Sequence, residues 1–162
     1  MNSKVARTIL LLLLSAGGGL ASSAEGVNDG ATMINTNEIT WGASPPTLPA
    51  GAKLAVLTGD PGKPGPFVIR LMMPAGYVIA PHWHTLAEQL TVISGTFYIG
   101  MGDKPERAQA HALEAGGFHY LPGRAHHYAF TRDATVVQVQ GMGPFDINYL
   151  DPRDDPQSQK SR

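Results

Sequence analysis

From residue 52 to residue 150 the chain never holds one character long enough to build a helix of ordinary length. β-Formers come in runs of four to seven, at 53–58, 67–73, 89–94, 96–99, 108–113, 118–121, 126–131, 135–140 and 145–150. Turn formers punctuate them, among them Gly59-Asp60-Pro61-Gly62, Pro74-Ala75-Gly76, Gly95 and Gly100-Met101-Gly102-Asp103. No window of twelve or more residues in this region carries a clean 3.6-residue apolar period. Nine or so strands separated by turns imply an all-β sandwich or barrel. The whole chain has 162 residues, enough for one such domain and too few for two of good size.

Composition closes off several functions. With 12 basic and 13 acidic residues, the chain lacks the Lys/Arg excess needed to track a phosphate backbone, so no nucleic-acid partner is expected. Cysteine is absent, which excludes disulfides, thiolate metal sites and Cys nucleophiles.

The two ends read differently from the middle. Lys4 and Arg7 precede an apolar run at 9–14, and small residues follow to Ser22-Ser23-Ala24. A basic head, a short greasy middle and a small-residue exit describe a secretory signal at 1–24, cut after Ala24. The run is too short to span a bilayer comfortably. The expected mature protein is therefore exported, periplasmic or secreted, and free of the membrane. Residues 25–51 form an N-terminal extension with one strand-like patch at 38–41, an edge strand whose covering makes a homodimer plausible. The barrel occupies 52–150, and 151–162 is a flexible polar tail containing Pro152 and Pro156.

All six histidines fall between positions 82 and 127: His82, His84, His111, His119, His126 and His127. On a strand, positions i and i+2 share a face, so His82 and His84 can aim at one ion. Glu88 follows after a gap that lets the chain turn back. Adjacent strand residues face opposite sides, so at most one of His126 and His127 joins them. Taken alone, a His-x-His pair is weak evidence for a metal, since paired strand histidines are often surface residues.

These residues resemble the cupin superfamily. Gly76, His82, His84, Glu88 and Gly95 reproduce its first motif without deviation. The second is matched by Gly116, Pro122 and His127, with two departures: Gly123 follows the proline directly, and Arg124 stands where the family usually has glycine. The resemblance covers residues 52–150 and implies a jelly-roll β-barrel with a metal site at His82, His84, Glu88 and His127. His126 is the alternative ligand if the strand pairing slips by one residue. Such a nitrogen-rich set suits one divalent transition metal (Mn, Fe, Co, Ni, Cu or Zn) better than Ca or Mg.

Around this site the sequence offers softer candidates. Arg70 can clamp a substrate carboxylate if it faces inward, and Gln138, which shares a strand face with Gln140, can line the same pocket. Tyr98 and Tyr120 are candidate acid–base residues. His119 reads as a packed side chain bonded to backbone, His111 as solvated, and 141–145 as a turn between strands. The implied function is a metal-dependent enzyme acting on a small organic molecule. A dioxygenase is favoured, because two open positions on the ion can hold substrate and O2 together. A decarboxylase, lyase or isomerase is the alternative chemistry, and a non-catalytic metal- or ligand-binding sensor module the alternative function.

Overall fold

The run-and-turn pattern becomes strands in the computed structural model, which describes residues 30–159. The expected signal at 1–24, positions 25–29 of the extension and positions 160–162 of the tail lie outside the described residues. Eleven strands follow in chain order: β1 (Gly42–Ala43), β2 (Lys53–Thr58), β3 (Gly65–Met73), β4 (Val78–Trp83), β5 (Glu88–Ser94), β6 (Thr96–Met101), β7 (His111–Glu114), β8 (Phe118–Leu121), β9 (His127–Thr131), β10 (Thr135–Gly143) and β11 (Asn148–Tyr149). The edge strand sits slightly later than the 38–41 patch. Thr36–Glu38 is instead a single 3-10 turn. The tail is less featureless than expected: Arg153 pairs with Asp151, and a one-turn helix, α1 (Pro156–Gln159), follows. Among the described residues no helix is long and apolar enough to cross a membrane.

Two antiparallel sheets make up the jelly roll. One has the order β1-β2-β3-β10-β5-β8, the other β11-β4-β9-β6-β7. Alternation decides what they enclose. On β3, Phe67, Ile69, Leu71 and Met73 are buried while the residues between them are not. Across the ladder Leu71 meets Val137 and Ile69 meets Val139, so the apolar sets of β3 and β10 fall on one face. Ile79, Phe97, Ile99 and Ala129 of the other sheet join the same core cluster. Each large side chain so enclosed contributes about 1.5–3 kcal/mol. A one-residue slip would drive Arg70 and Gln138 inward, which strongly specifies the register.

One irregularity matters for function. Strand β4 pairs Val78 with Phe130 and Ile79 with Ala129, then shifts so that His82 lies opposite His127. Without the shift, continuing the first register would set His82 against His126. The bulge falls at Ala80-Pro81, where proline cannot donate to a ladder anyway. The extra residue flips the alternation, so both Ile79 and His82 are buried although three positions apart.

Candidate metal centre

Strand β9 supplies His127 by simple alternation, since it shares the inner face with Ala129 and Thr131. Strand β4 supplies His82 through the bulge, and His84 follows just beyond the strand end. All three rings are buried: His82 is 3% exposed, His84 5% and His127 3%.

Their orientation is set from behind. His82 Nδ1 donates to Ala80 O at 2.7 Å, His84 Nδ1 to Asp146 O at 2.5 Å and His127 Nδ1 to Ala125 O at 2.9 Å. A carbonyl only accepts, so each Nδ1 carries the proton and each Nε2 is left with a free lone pair. One nitrogen from each ring lies within 4.8 Å of the others, a grouping suited to one ion. His84 Nε2 is buried with no hydrogen-bond partner, an orphan that a metal would satisfy. Burial, with the neighbouring His127 and His84, pushes His82 down to about 3, and burial lowers His127 as well. Neutral imidazole is the ligating form.

Glu88 starts β5 and is 7% exposed. Its Oε1 lies 3.8 Å from His84 Nε2 and its Oε2 3.8 Å from His127 Nε2. Both separations are under twice a metal–ligand bond of about 2.1 Å, which puts the carboxylate beside the three-histidine group, one oxygen near His84 and the other near His127. Burial alone would raise this carboxyl, but a hydrogen bond from His119 and the nearby imidazoles bring it down to about 2. Three nitrogens and one hard anionic oxygen fit a divalent transition metal.

The end of the barrel around this cluster is closed by the chain after β10. Phe145 stacks on His84 with ring centres 4.4 Å apart. Asp146 clasps the turn after His84, accepting from Thr85 N at 2.7 Å, Thr85 Oγ1 at 2.6 Å and Asn148 Nδ2 at 2.9 Å. The second-motif turn packs there too. A Cβ at Gly123 would come 2.5 Å from Thr85 O, so only glycine fits. Arg124, at the position where glycine is usual, adopts φ 66°, a strained conformation for a residue with a side chain. Its N–H donates to His84 O at 2.8 Å and its guanidinium lies 5.3 Å from the Trp83 ring centre, two contacts that offset the strain. Trp83 therefore faces outward, as its place between two inward histidines requires.

A cavity of about 340 Å³ leads to the cluster. Its walls are apolar, with Leu48, Leu54, Ile69, Ile79, Phe145 and Ile147 among them, and Glu88 is the one acid or base other than histidine in the lining. Two tyrosine hydroxyls hold the extension across the mouth: Tyr77 Oη donates to Pro49 O at 2.5 Å and Tyr149 Oη to Thr47 O at 2.9 Å. A larger cleft of about 620 Å³ lies on the outer face of the five-stranded sheet, and none of the converging ligands lines it.

The softer sequence candidates lie elsewhere. Arg70 and Gln138 bond each other, Nε to Oε1 at 3.2 Å, on the strand faces opposite the core residues. Arg70 therefore does not clamp a carboxylate in the barrel. Tyr120 is 57% exposed and Tyr98 stacks on Phe130 at 4.8 Å under the Arg132 guanidinium, so neither reaches the cluster. His126 turns away as its parity demands and bonds Asp103 at 2.7 Å. His111 is exposed, as expected. Conversely, His119 does not bond backbone: its Nε2 meets Glu88 Oε2 at 3.1 Å. The alternation of β8 carried a signal for this, since His119 and Leu121 share a face, but Phe118 on the other face obscured it.

Comparison with known proteins agrees with this geometry. The family model of the ChrR cupin-like domain matches residues 29–146. A search of curated proteins returned no match. Among solved structures, a candidate acetylacetone dioxygenase from Methylibium petroleiphilum PM1 is 19% identical, covering 78% of this chain and 85% of its own, with a TM-score of 0.59. The polyketide cyclase RemF from Streptomyces resistomycificus is 13% identical over 82% of this chain and 94% of its own, TM-score 0.61. A candidate ethanolamine utilization protein Q from Salmonella typhimurium LT2 is 13% identical over 71% of this chain and 87% of its own, TM-score 0.57. Likeness at these identities establishes the shared fold.

Proposed function

We propose, since the chain belongs to the ChrR cupin-like family of the cupin superfamily, that it is an exported metalloenzyme acting on a small, uncharged organic molecule. His82, His84, His127 and Glu88 hold one divalent transition ion. The single observation that carries this reading is the set of three Nδ1–carbonyl bonds, which leave three Nε2 lone pairs converging in a buried site. When bound, the ion supplies Lewis acidity and, if redox-active, electrons for O2 chemistry.

The chain's own residues set the substrate class. Leu54, Ile69, Ile147 and Phe145 bind a hydrocarbon body and exclude water from the cluster. With Arg70 engaged by Gln138 outside the barrel, no Lys or Arg of the lining can pair with a carboxylate held away from the ion. A neutral molecule with one or two oxygen donors, such as a phenol or a dicarbonyl, fits better than a carboxylate. A dioxygenase is the favoured reaction. Acetylacetone, which appears in the name of one fold relative, has the character the cavity selects.

The test is elemental analysis of protein purified from its own host, followed by oxygen uptake against neutral dicarbonyls, phenols and carboxylates. One transition metal per chain is expected, with uptake for a neutral compound and its loss in a folded His82→Ala variant. Bound metal without turnover on any compound would favour a binding module, and absence of metal would overturn the reading. Export is tested by the mature N-terminus, expected at Glu25.

A further inference from the structure

We propose that His119 is the positioning residue for Glu88, holding one carboxylate oxygen so that the group meets the ion in a single orientation. This inference rests on the metal reading above. Strand β8 turns His119 inward, opposite Leu90, while its neighbours Phe118 and Tyr120 are more than half exposed. Its Nε2 lies 3.1 Å from Glu88 Oε2, the same oxygen that is 3.8 Å from His127 Nε2. Glu88 Oε1, 3.8 Å from His84 Nε2, is left to the ion. Among the described residues this is the one hydrogen bond the Glu88 carboxylate accepts.

The rest of the His119 ring has no polar reason to be where it is. Its side chain is 10% exposed, and Nδ1 is buried with no hydrogen-bond partner. The ring lines a gap of about 40 Å³ together with apolar Leu90, Phe97, Val137 and Val139 and with His82, Glu88 and His127 of the cluster. An imidazole in such surroundings gives up hydration that a leucine or phenylalanine would never need to lose. One charge-assisted bond to a buried carboxylate is the compensation on offer. Packing alone would be better served by an apolar residue, so the histidine is explained by Glu88. A glutamate without this bond has several rotamers open to it, and each unproductive one lowers the population ready to bind the ion.

The experiment titrates the full mature protein with Co2+ alone and records both the dissociation constant and the visible d–d spectrum. His119→Leu is expected to weaken Co2+ binding by about 10–100-fold, the range typical of a lost partner to a metal ligand, and to alter the spectrum. His119→Gln, whose amide can still donate to Oε2, should stay within about 3-fold of the parent. In a Glu88→Ala background the same His119→Leu change should shift affinity by less than about 2-fold, because nothing remains to be positioned. Equal losses with and without Glu88, or no loss at all, would overturn the proposal. A parent protein that binds no Co2+ would instead remove the metal reading, and this inference with it.

Discussion

Three histidines converge and one glutamate lies beside them, yet they are anchored in different ways. Each imidazole is tied through Nδ1 to a main-chain carbonyl, from Ala80, Ala125 or Asp146. Glu88 is tied to a side chain, that of His119. Main-chain anchors are carried by the fold itself and survive almost any single substitution at the residue supplying them. A side-chain anchor is removed by one change. The histidine half of the centre should therefore be robust wherever the strands keep their register, whereas the carboxylate half is open to adjustment by sequence.

The largest effect should come from breaking the register on which the histidine half depends. Inserting one alanine between Pro81 and His82 places the new residue opposite His127 and moves His82 to face His126, pointing it out of the barrel. Co2+ affinity is expected to fall by at least about 100-fold, while circular dichroism still reports a β fold. Retained affinity would show that the β4 register does not aim His82.

Acid should separate the two halves in the metal-free protein. His82 is held at about 3 against an ordinary 6.5, so between those values the unfolded chain binds a proton that the folded one refuses. Its contribution is complete above pH 6.5 and is lost as the pH falls toward 3. Glu88, held at about 2 against an ordinary 4.5, adds a second loss as the pH falls through the lower window. Urea midpoints measured from pH 7.5 to 3 should decline throughout and more steeply below about 4.5, and Glu88→Gln should remove the added steepness while leaving the rest of the decline.

Asp146 joins the two kinds of anchor in one residue. Asp146→Ala deletes the carboxylate bonds to Thr85 and Asn148 but keeps the carbonyl that faces His84. Stability should drop by about 1–3 kcal/mol, read from thermal or urea unfolding. Co2+ affinity should fall by less than about 10-fold, since the main-chain bond remains. A loss as large as that of His82→Ala would mean the side chain, not the carbonyl, orients the ring.

Much of the histidine half was legible in the sequence, because its residues sit at fixed spacings from glycines and a proline that turn the chain. Strand parity separates the adjacent pair: His127 joins the inner cluster and His126 turns to Asp103. The bulge that makes His82 face His127 was not legible, since it exists only in the pairing of β4 with β9. Arg124 in place of glycine left the turn uncertain, and its φ of 66° preserves the turn at a local cost. Strand alternation says which residues share a face, but not what lies above that face. Arg70 and Gln138 as substrate contacts and Tyr98 and Tyr120 as acid–base groups are therefore open to the sequence, although their faces point away from the cluster. The role of His119 is hidden for the opposite reason: its partner is 31 positions away and meets it only across the β5–β8 ladder.

The smallest effects belong to those outward residues. Arg70→Ala and Tyr120→Ala should each leave Co2+ affinity within about 2-fold of the parent and stability within about 1 kcal/mol. A clear affinity change in either would put the outer face of the six-stranded sheet in contact with the centre after all.

The most direct measurement is X-ray absorption at the metal edge of the Co2+-loaded protein, where imidazole rings give a characteristic outer-shell scattering pattern. Three imidazoles and at least one oxygen ligand are expected, from His82, His84, His127 and Glu88. Two imidazoles or fewer would contradict the convergence on which the proposed chemistry depends.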